Sequence, residues 1–296
     1  MAENKTNGSE GGDGGDMTQA HENHDTRAAW NEIAAGYDRT NTPTQMWIAN
    51  EGLRRAGLHA GERFLDVAAG SGALSIPGAR LGARVLAIDQ SPAMLEHLRA
   101  RATQERLDIE TRVMDGHTLE LDDNTFDLAG SQFGVMLFPD MPKAIREMVR
   151  VVKPGSGRVL IHAYGDPHKI EFLGFLIGAV QSVRPDFEGP PMDPPPIEFQ
   201  LVDPGRLRKE LSAAGLKDVK VETIIETTEH KTGKDLWEWL VWSNPIVERV
   251  LGGMLNLTKD ERATVQRTLD KMVRDRAGDG SAARLSNPVN IGFGTK

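Results

Sequence analysis

The chain has 296 residues, and its content of 39% hydrophobic and 26% charged residues is typical of a globular protein. It contains no cysteine, which excludes disulfide bonds, thiolate zinc sites, iron–sulfur clusters and cysteine nucleophiles. The net charge is −8 and no run of Lys and Arg is present, so a nucleic acid is not an expected partner.

The first predicted unit is a disordered tail over residues 1–17, which are rich in Gly and Asp and have no apolar periodicity. Apolar spacing then predicts two helices, over residues 18–36 and 44–56, each followed or ended by a glycine. We expect residues 18–58 to form an N-terminal helical cap on the domain that follows.

From residue 59 onward, short β-branched segments alternate with helical ones, the pattern of a mostly parallel sheet with helices on both faces. Ser91 and Pro92 mark the beginning of one helix, and Asp140 begins another that runs toward Val152. Strands are predicted over residues 63–68, 84–89, 109–114, 126–132 and 157–164.

After Tyr164 the alternation changes, and a helix over residues 168–183 leads into a proline-rich loop. The remaining segments are predicted as a helix over 204–214, a strand over 217–227, helices over 233–242, 245–252 and 258–276, and a strand over 287–294. The predicted fold is α/β, with a Rossmann-like, seven-stranded, mostly parallel sheet. One domain over residues 59–296 is expected, with a helical lid insertion around 168–286.

The segment FLDVAAGSG at residues 64–72 carries the strongest functional signal. An apolar strand that contains Asp66 leads into Gly70 and Gly72, which allow a tight turn at the sheet edge where α/β proteins bind ligands. A dinucleotide fingerprint would have a third glycine where Ser75 stands. The additional carboxylate favours S-adenosylmethionine instead, because this ligand presents an ammonium group and no phosphate.

Two more acids lie at the ends of neighbouring predicted strands: one strand ends in Asp89, and Asp115 follows the next. Asp89 is placed to accept hydrogen bonds from both ribose hydroxyls, and Asp115, beside Gly116, from the adenine amino group. Any one of these acids is equally well explained as a helix cap. All three together with the glycines are hard to explain by packing alone.

The sequence resembles the class I S-adenosylmethionine-dependent methyltransferases over residues 28–165, and among them the ubiquinone and menaquinone C-methyltransferase branch, methyltransferase type 11. The matching segments are WNEIAAGYD at 30–38, FLDVAAGSG at 64–72, VLAIDQSPAML at 85–95, MDG at 114–116, FDLAGSQFGVMLFPD at 126–140 and REMVRVVKPGSGRVLI at 146–161. Ala68 replaces the first loop glycine of the family, which we expect to be tolerated if Ala68 keeps an extended conformation.

The resemblance implies a set of cofactor-binding residues. It implies that Asp66 and the loop glycines hold the methionine portion, that Asp89 holds the ribose, and that Tyr37 covers the cofactor. Asp115 is expected at the adenine, and Gln132 and Phe133 beside the sulfonium. The full predicted set is Tyr37, Asp66, Ala68, Gly70, Gly72, Asp89, Gln90, Met94, Asp115, Gly116, Gln132 and Phe133.

The predicted activity is transfer of a methyl group to O, C, N or S of a small, apolar or aromatic molecule. Such a displacement needs an in-line nucleophile and exclusion of water, and needs no covalent intermediate with the protein. If a base takes part, the candidates are His162, Tyr164 and His117, although His162 lies in an apolar strand and is equally well interpreted as a core residue. Predicted substrate contacts are Trp30, Trp47, Phe133 and His162.

Two other functions remain open from the sequence: a nicotinamide-dependent oxidoreductase, and a non-catalytic protein that binds S-adenosylmethionine. No apolar run approaches the roughly 20 residues of a membrane span, and no secretory signal is recognisable. We therefore expect a cytoplasmic monomer or homodimer, with a small-molecule acceptor as its partner and no bound metal.

Overall fold

A computed structural model describes residues 14–190 and 192–296 of the chain. The helices are α1 (Gly14–Thr40), α2 (Thr42–Arg55), α3 (Ser75–Arg80), α4 (Pro92–Glu105), α5 (Met141–Val151), α6 (Glu171–Gln181), α7 (Pro204–Ala213), α8 (Gly233–Ser243), α9 (Pro245–Glu248) and α10 (Lys259–Ala277). The strands are β1 (Arg63–Val67), β2 (Arg84–Asp89), β3 (Ile109–Val113), β4 (Leu128–Gln132), β5 (Arg158–Tyr164), β6 (Lys217–His230) and β7 (Ala283–Thr295). A π-helical turn, Arg249–Met254, follows α9.

The strands form one seven-stranded sheet in the order β3-β2-β1-β4-β5-β7-β6. Strands β1 to β5 are parallel, whereas β7 runs antiparallel to both β5 and β6. The chain moves outward from β1 to β3 and then returns to β4, so the strand order reverses between β1 and β4. Ligands of open α/β sheets bind at such a reversal, outside the carboxyl ends of the strands.

The main core lies between the sheet and the helices on its two faces. Phe64, Leu65, Ile88 and Leu128 of the central strands are fully buried, which stabilises the fold by about 2 kcal/mol per large side chain. On one face, α5 buries an apolar stripe that begins after Asp140, whose side chain accepts a hydrogen bond from the Lys143 backbone at 3.0 Å. This packing fixes the strand ends that carry the predicted ligand residues.

A second core lies among the helices between β5 and β7. Leu236 and Leu240 of α8 pack with Leu269 of α10 and with Leu285 at the beginning of β7. Both α8 and α10 begin with a capping box, the second of them at Thr258 as the sequence predicts. These helices therefore pack as a layer against β6 and β7.

The seven strands and the mostly parallel sheet are confirmed. The last strand is longer than the predicted 287–294, because β7 extends beyond the end of β5 and continues to pair with β6 as far as Ala283. The predicted end of the first helix at Gly36 is wrong: α1 continues to Thr40, and a Cβ at Gly36 would overlap the indole of Trp242. Gly36 therefore permits close helix packing instead of ending the helix.

Most of the tail predicted to be disordered lies outside the described residues, and α1 begins at Gly14 where the prediction placed its start at Thr18. Among residues 14–190 and 192–296, no helix is long and apolar enough to cross a membrane.

Candidate functional site

A cleft of about 490 Å³ opens at the carboxyl ends of the central strands, beneath α1. Ten of the twelve predicted cofactor residues line it: Tyr37, Ala68, Gly70, Asp89, Gln90, Met94, Asp115, Gly116, Gln132 and Phe133. A smaller depression of about 320 Å³ lies at the opposite sheet edge and contains none of them. The sheet thus gathers residues from 37 to 133 of the chain into one site.

The glycine loop after β1 lies directly under the N-terminal helices. Gly70 has φ 54, and the nearest side-chain atom to a Cβ built there is in the Tyr37 ring, at 3.8 Å. Gly72 has φ 100 and does not line the cleft. It is packed against α4 instead, because a Cβ there would lie 2.9 Å from the Leu98 side chain. Gly72 therefore serves the packing of the loop on α4, whereas Gly70 leaves room for a ligand below Tyr37.

Two residues without glycine's freedom adopt left-handed backbone conformations at this cleft. Ala68 has φ 57 and Phe133 has φ 55, so the expectation of an extended Ala68 is wrong. The turn requires the left-handed conformation that the family's glycine would adopt without strain, and alanine pays a cost of about 1–2 kcal/mol there. Backbone strain of this kind is concentrated at functional sites.

Replacing Ala68 with glycine is expected to stabilise the protein by about 0.5 kcal/mol, because relief of strain exceeds the entropy that glycine adds to the unfolded chain. Urea denaturation measures the difference. Ala69→Gly is the control, since Ala69 is buried and its φ is not positive, and this variant should be less stable than the wild type. A destabilised Ala68→Gly protein would show that the turn is not strained.

Asp89 ends β2 and holds the glycine loop with its carboxylate. Oδ2 accepts a hydrogen bond from the Gly70 backbone at 2.8 Å, and Oδ1 accepts one from the Ser91 backbone at 2.8 Å. Burial raises the pKa of Asp89, and these backbone hydrogen bonds oppose the shift. The carboxylate still faces the cleft and retains free lone pairs, so it can accept hydrogen bonds from ribose hydroxyls.

Asp66 does not line the cleft and is completely buried in β1 beneath the loop. Its Oδ2 accepts a hydrogen bond from Ser75 Oγ at 2.5 Å, and its Oδ1 has no hydrogen-bond partner among the described residues. Burial raises its pKa to about 7, against the effect of the Ser75 hydrogen bond. A buried carboxyl oxygen without a donor fits an ammonium group of the cofactor, so the predicted role of Asp66 stays compatible with this structure.

Asp115 and His117 form a pair in the loop after β3. Asp115 Oδ1 lies 2.8 Å from His117 Nδ1 and accepts a hydrogen bond from the His117 backbone at 2.9 Å. The hydrogen bond from His117 lowers the pKa of Asp115. The His117 ring stacks on Phe138 at 4.6 Å. His117 lines the cleft, but these contacts favour a role in orienting Asp115 over a role as a base.

His162 is not in the cleft. It pairs in register with Gln132 on β4 and is completely buried, with Nδ1 2.8 Å from Gln132 Oε1. Gln132 Nε2 donates to the Gln45 carbonyl at 3.2 Å, so its oxygen faces His162 and Nδ1 carries the proton. Burial lowers the pKa of His162 to about 3. The predicted roles of His162 as base and substrate contact are therefore not supported, and its interpretation as a core residue agrees with the structure.

The other predicted acceptor residues are divided between the cleft and the surface. Trp30 lines the cleft and meets Tyr37 edge-on at 6.0 Å, whereas Trp47 is 50% exposed and lies outside it. Tyr164 stacks on Phe133 at 4.6 Å, one layer behind the cleft wall. Burial first, and then the charge of Glu226, raise the pKa of Tyr164 well above its usual value, so its hydroxyl is protonated and does not act as a base at neutral pH.

Several residues that the sequence interpretation missed fix α1 over the cleft. Asn31 Oδ1 accepts a hydrogen bond from Ser91 Oγ at 2.7 Å, and Arg101 pairs with Asp38 at 2.6 Å, so α1 is bound to α4. Tyr37 donates its hydroxyl hydrogen to Gln45 Oε1 at 3.0 Å. A run of hydrogen bonds therefore connects Tyr37 through Gln45 and Gln132 to His162. The sequence offers no signal for these pairs, which join distant segments.

Because His162 is buried and neutral, the free energy of unfolding is expected to decrease as the pH is lowered. Its pKa is about 3 in the folded protein, below the ordinary value of 6.5, so between these values only the unfolded state binds a proton. From neutral pH to about pH 5, the wild type should lose about 2 kcal/mol more of its unfolding free energy than His162→Gln does. Denaturation at the two pH values measures the loss. Exposed His59→Gln is the control and should keep the wild-type loss, and an equal loss in His162→Gln would contradict the assignment.

Comparisons with known proteins agree with this geometry. Residues 65–161 match the family model described as a methyltransferase domain. A demethylmenaquinone methyltransferase of Renibacterium salmoninarum is 35% identical over 163 residues, which cover 53% of this chain and 67% of that protein. The corresponding enzyme of Clavibacter sepedonicus is 38% identical over 147 residues, or 47% of this chain and 58% of that protein. The match also extends to uncharacterized proteins of Mycobacterium tuberculosis, 37% identical over 44% of this chain, and the chain spans just under half of their length, 46%.

Solved structures share the fold at low identity. A chain from the complex between a Haloferax volcanii methyltransferase activator and a methyltransferase superposes with a TM-score of 0.54 at 18% identity, over 90% of this chain and 98% of that chain. Phosphoethanolamine N-methyltransferase 2 of Haemonchus contortus, in complex with S-adenosyl-L-methionine, superposes with a TM-score of 0.50 at 22% identity, over 84% of this chain and 52% of that chain. These structures show the fold. The Renibacterium relative, 35% identical and covered over 67% of its length, shows that the chain belongs to the class I S-adenosylmethionine-dependent methyltransferases, in the branch of the demethylmenaquinone methyltransferases, with S-adenosylmethionine as its cofactor.

Proposed function

We propose that the protein transfers the methyl group of S-adenosylmethionine to a small, apolar or aromatic molecule by direct in-line displacement. The observation that carries the proposal is the single cleft in which Asp89, the glycine loop and Asp115 meet the aromatic side chains of Trp30 and Phe133. Its polar groups suit ribose and adenine, Asp66 lies buried beneath the loop as a partner for the ammonium group, and its aromatic side suits an apolar acceptor. The methylated atom can be O, C, N or S.

Different residues of this chain would bind different parts of S-adenosylmethionine. The Asp89 carboxylate orients the ribose, while Asp115, held by His117, accepts from the adenine amino group. Asp66 Oδ1, which has no hydrogen-bond partner among the described residues, would receive the ammonium group. S-adenosylmethionine supplies an electrophilic methyl group on a positively charged sulfur when bound.

The remaining contribution of the protein is alignment and exclusion of water. Tyr37 lies over Gly70 and is tied to Gln45, so the N-terminal helices cover the cofactor once it is bound. Phe133, in its strained conformation, projects into the cleft with Tyr164 stacked behind it. Displacement at a methyl group gains most from such positioning, and no side chain is required to form a covalent bond.

The C-terminal insertion contributes part of the acceptor wall. Ile197 and Pro245 line the cleft, while Trp239 is 3% exposed and packs between Phe172 and His230. Trp239 therefore belongs to the buried face of α8. The acceptor meets the insertion mainly through the loop segments around residues 197 and 245.

The alternative of a nicotinamide-dependent oxidoreductase is less well supported by the same loop. The third glycine of a dinucleotide fingerprint is replaced by Ser75, which is buried and hydrogen-bonded to Asp66. A carboxylate at this depth would repel a pyrophosphate, whereas it attracts an ammonium group. The loop thus favours the methyl donor.

Calorimetric titration of the protein with S-adenosylmethionine and with NADH tests the proposal. We expect S-adenosylmethionine to bind and NADH to give no heat of binding. Incubation with panels of phenols, amines, thiols and quinols, read out by mass spectrometry, should then yield S-adenosylhomocysteine with at least one acceptor. Binding of NADH alone would support the oxidoreductase, and cofactor binding without turnover on any panel would support a non-catalytic protein.

A further inference from the structure

Glu226 is a buried carboxyl group that the cofactor site does not use. It lies on β6, is 3% exposed, and its Oε1 has no hydrogen-bond partner in the part of the chain that the structure describes. Burial raises the pKa of Glu226 to about 7, and no positively charged neighbour opposes this effect. Burying a carboxylate without a partner lowers the stability of a protein by several kcal/mol, so the Glu226 carboxylate would be stabilised by a bound partner.

The strand register places Glu226 behind the cleft wall, on the same side of the sheet as Tyr164, and Glu226 itself does not line the cleft. Glu226 pairs with Asn287 on β7, and Val289, two residues further along, pairs with Tyr164 at the end of β5. Directly paired residues, and residues two apart on one strand, project from the same face of a sheet. Glu226 therefore shares its face with Tyr164 and lies just beyond the carboxyl end of β5.

A continuous row of aromatic rings covers this part of the sheet. Tyr164 stacks on the cleft residue Phe133 at 4.6 Å and meets Phe172 at 5.9 Å. Phe172 meets Trp239 at 5.0 Å, and Trp239 meets His230 at 5.7 Å. His230 lies four residues beyond Glu226 and is also buried, so Glu226 sits on the strand between the two ends of this row.

The charge of Glu226 reaches the cleft itself. Burial is the largest cause of the raised pKa of both Tyr164 and Tyr37; the charge of Glu226 adds to it in Tyr164, and in Tyr37 it adds less than the charge of Asp89 does. Tyr37 lines the cleft directly over Gly70, so Glu226 lies within electrostatic range of both the cofactor cover and the wall behind Phe133. A ligand in front of Phe133 is therefore exposed to this negative charge.

We propose that Glu226 is an acceptor-binding residue, and that the methyl acceptor is a small apolar or aromatic molecule that carries a protonated amine. This inference rests on the proposed function. The described residues supply no cation to Glu226, and a protonated amine would provide both the missing charge and a hydrogen bond. Aromatic rings beside the carboxylate attract a cation through their faces, whereas a neutral hydroxyl offers no charge to either group.

Three related probes test the inference: benzylamine and benzyl alcohol, which have the same shape, and toluene, which lacks their polar group. Each is titrated by ligand-observed NMR into the full chain with saturating S-adenosylhomocysteine. At about pH 8, where Glu226 is ionised and benzylamine still carries its proton, benzylamine should bind at least about tenfold more tightly than benzyl alcohol. Toluene should bind no better than the alcohol. Equal binding of amine and alcohol by the wild type would overturn the inference.

Glu226→Gln keeps the shape of the side chain and removes its charge, so it should reduce the preference for benzylamine to less than about twofold. Glu229→Gln is the matched control, because Glu229 is exposed on the other face of the same strand, and it should keep the wild-type preference. A preference retained in Glu226→Gln would contradict the role of Glu226.

The two proposals fail in distinguishable ways. If S-adenosylhomocysteine does not bind, the proposed function fails. If it binds equally to the wild type and to both variants but the amine is not preferred, only the inference on Glu226 fails. Should Glu226→Gln not fold, the comparison of the three probes on the wild type still decides the outcome.

Discussion

Replacing Gly52 with alanine is expected to destabilise the protein by about 3 kcal/mol, the overpacking cost of a clash that cannot relax. Gly52 is buried in the interior of α2, and a Cβ there would overlap Nε2 of His162. The imidazole has no room to move, since it is completely buried and its other nitrogen is bonded to Gln132. Helix propensity alone predicts the opposite sign, a gain of about 1 kcal/mol for alanine.

Urea denaturation of Gly52→Ala, His162→Ala and the double variant measures this contact. The double variant should be less destabilised than the sum of the two single ones by about 2 kcal/mol, because removal of the imidazole makes room for the methyl group. Gly174→Ala in α6 is the control: nothing lies within 4 Å of a Cβ at that position, so the propensity gain should appear there. A Gly52→Ala protein as stable as the wild type would contradict the packing of His162 on α2.

Asp89→Ala is expected to weaken binding of S-adenosylmethionine by at least about 100-fold. Two ribose hydroxyls donating to one carboxylate form charge-assisted hydrogen bonds, each worth about 1.5–3 kcal/mol and together at least about 3 kcal/mol, and a 100-fold loss corresponds to about 2.8 kcal/mol. The variant also releases the backbone of Gly70 and Ser91, which adds to the effect. Calorimetric titration with S-adenosylmethionine measures the dissociation constant.

Asp108→Ala is the matched control, because Asp108 is exposed and lines the depression at the opposite edge of the sheet. Its affinity for the cofactor should equal that of the wild type. The affinity of Asp89→Asn for the cofactor should lie between those of Asp89→Ala and Asp108→Ala, since the amide keeps one acceptor oxygen without the charge. Unchanged affinity in Asp89→Ala would overturn the ribose assignment. Loss of affinity in Asp108→Ala would indicate that the cofactor binds in the depression at the opposite edge of the sheet.

The cofactor half of the site follows closely from the sequence. The strand before Gly70, the acid at the end of β2 and the acid after β3 are each recognisable within a few residues, because a strand, its turn and the next helix cap are local structures. Their meeting in one cleft follows from the parallel order of the sheet. Even here, the left-handed backbone of Ala68 contradicts the extended conformation expected for a residue with a Cβ.

The environment of the residues near the proposed acceptor site could not be predicted from the sequence. The alternation around Glu226 in β6 is typical of a strand with one solvated face, and nothing local indicates that α8 and α6 cover this face. His162 is equally ambiguous in its apolar strand, and Gly36 has the local features of a helix end. Each was decided by a contact with a residue far along the chain, namely Trp242 for Gly36 and Gly52 for His162.

The sequence by itself determined the α/β class, the seven strands and the cofactor loop, because backbone conformation and strand ends depend on neighbouring residues. Only the tertiary structure decided that His162 is a buried, neutral residue behind Gln132, that Trp47 is exposed, and that Glu226 is enclosed without a hydrogen-bond partner among the described residues. The physical reason is that burial and pairing depend on which distant segments share a face of the sheet. That arrangement is set by the strand order β4-β5-β7-β6 and by the helices that cover it.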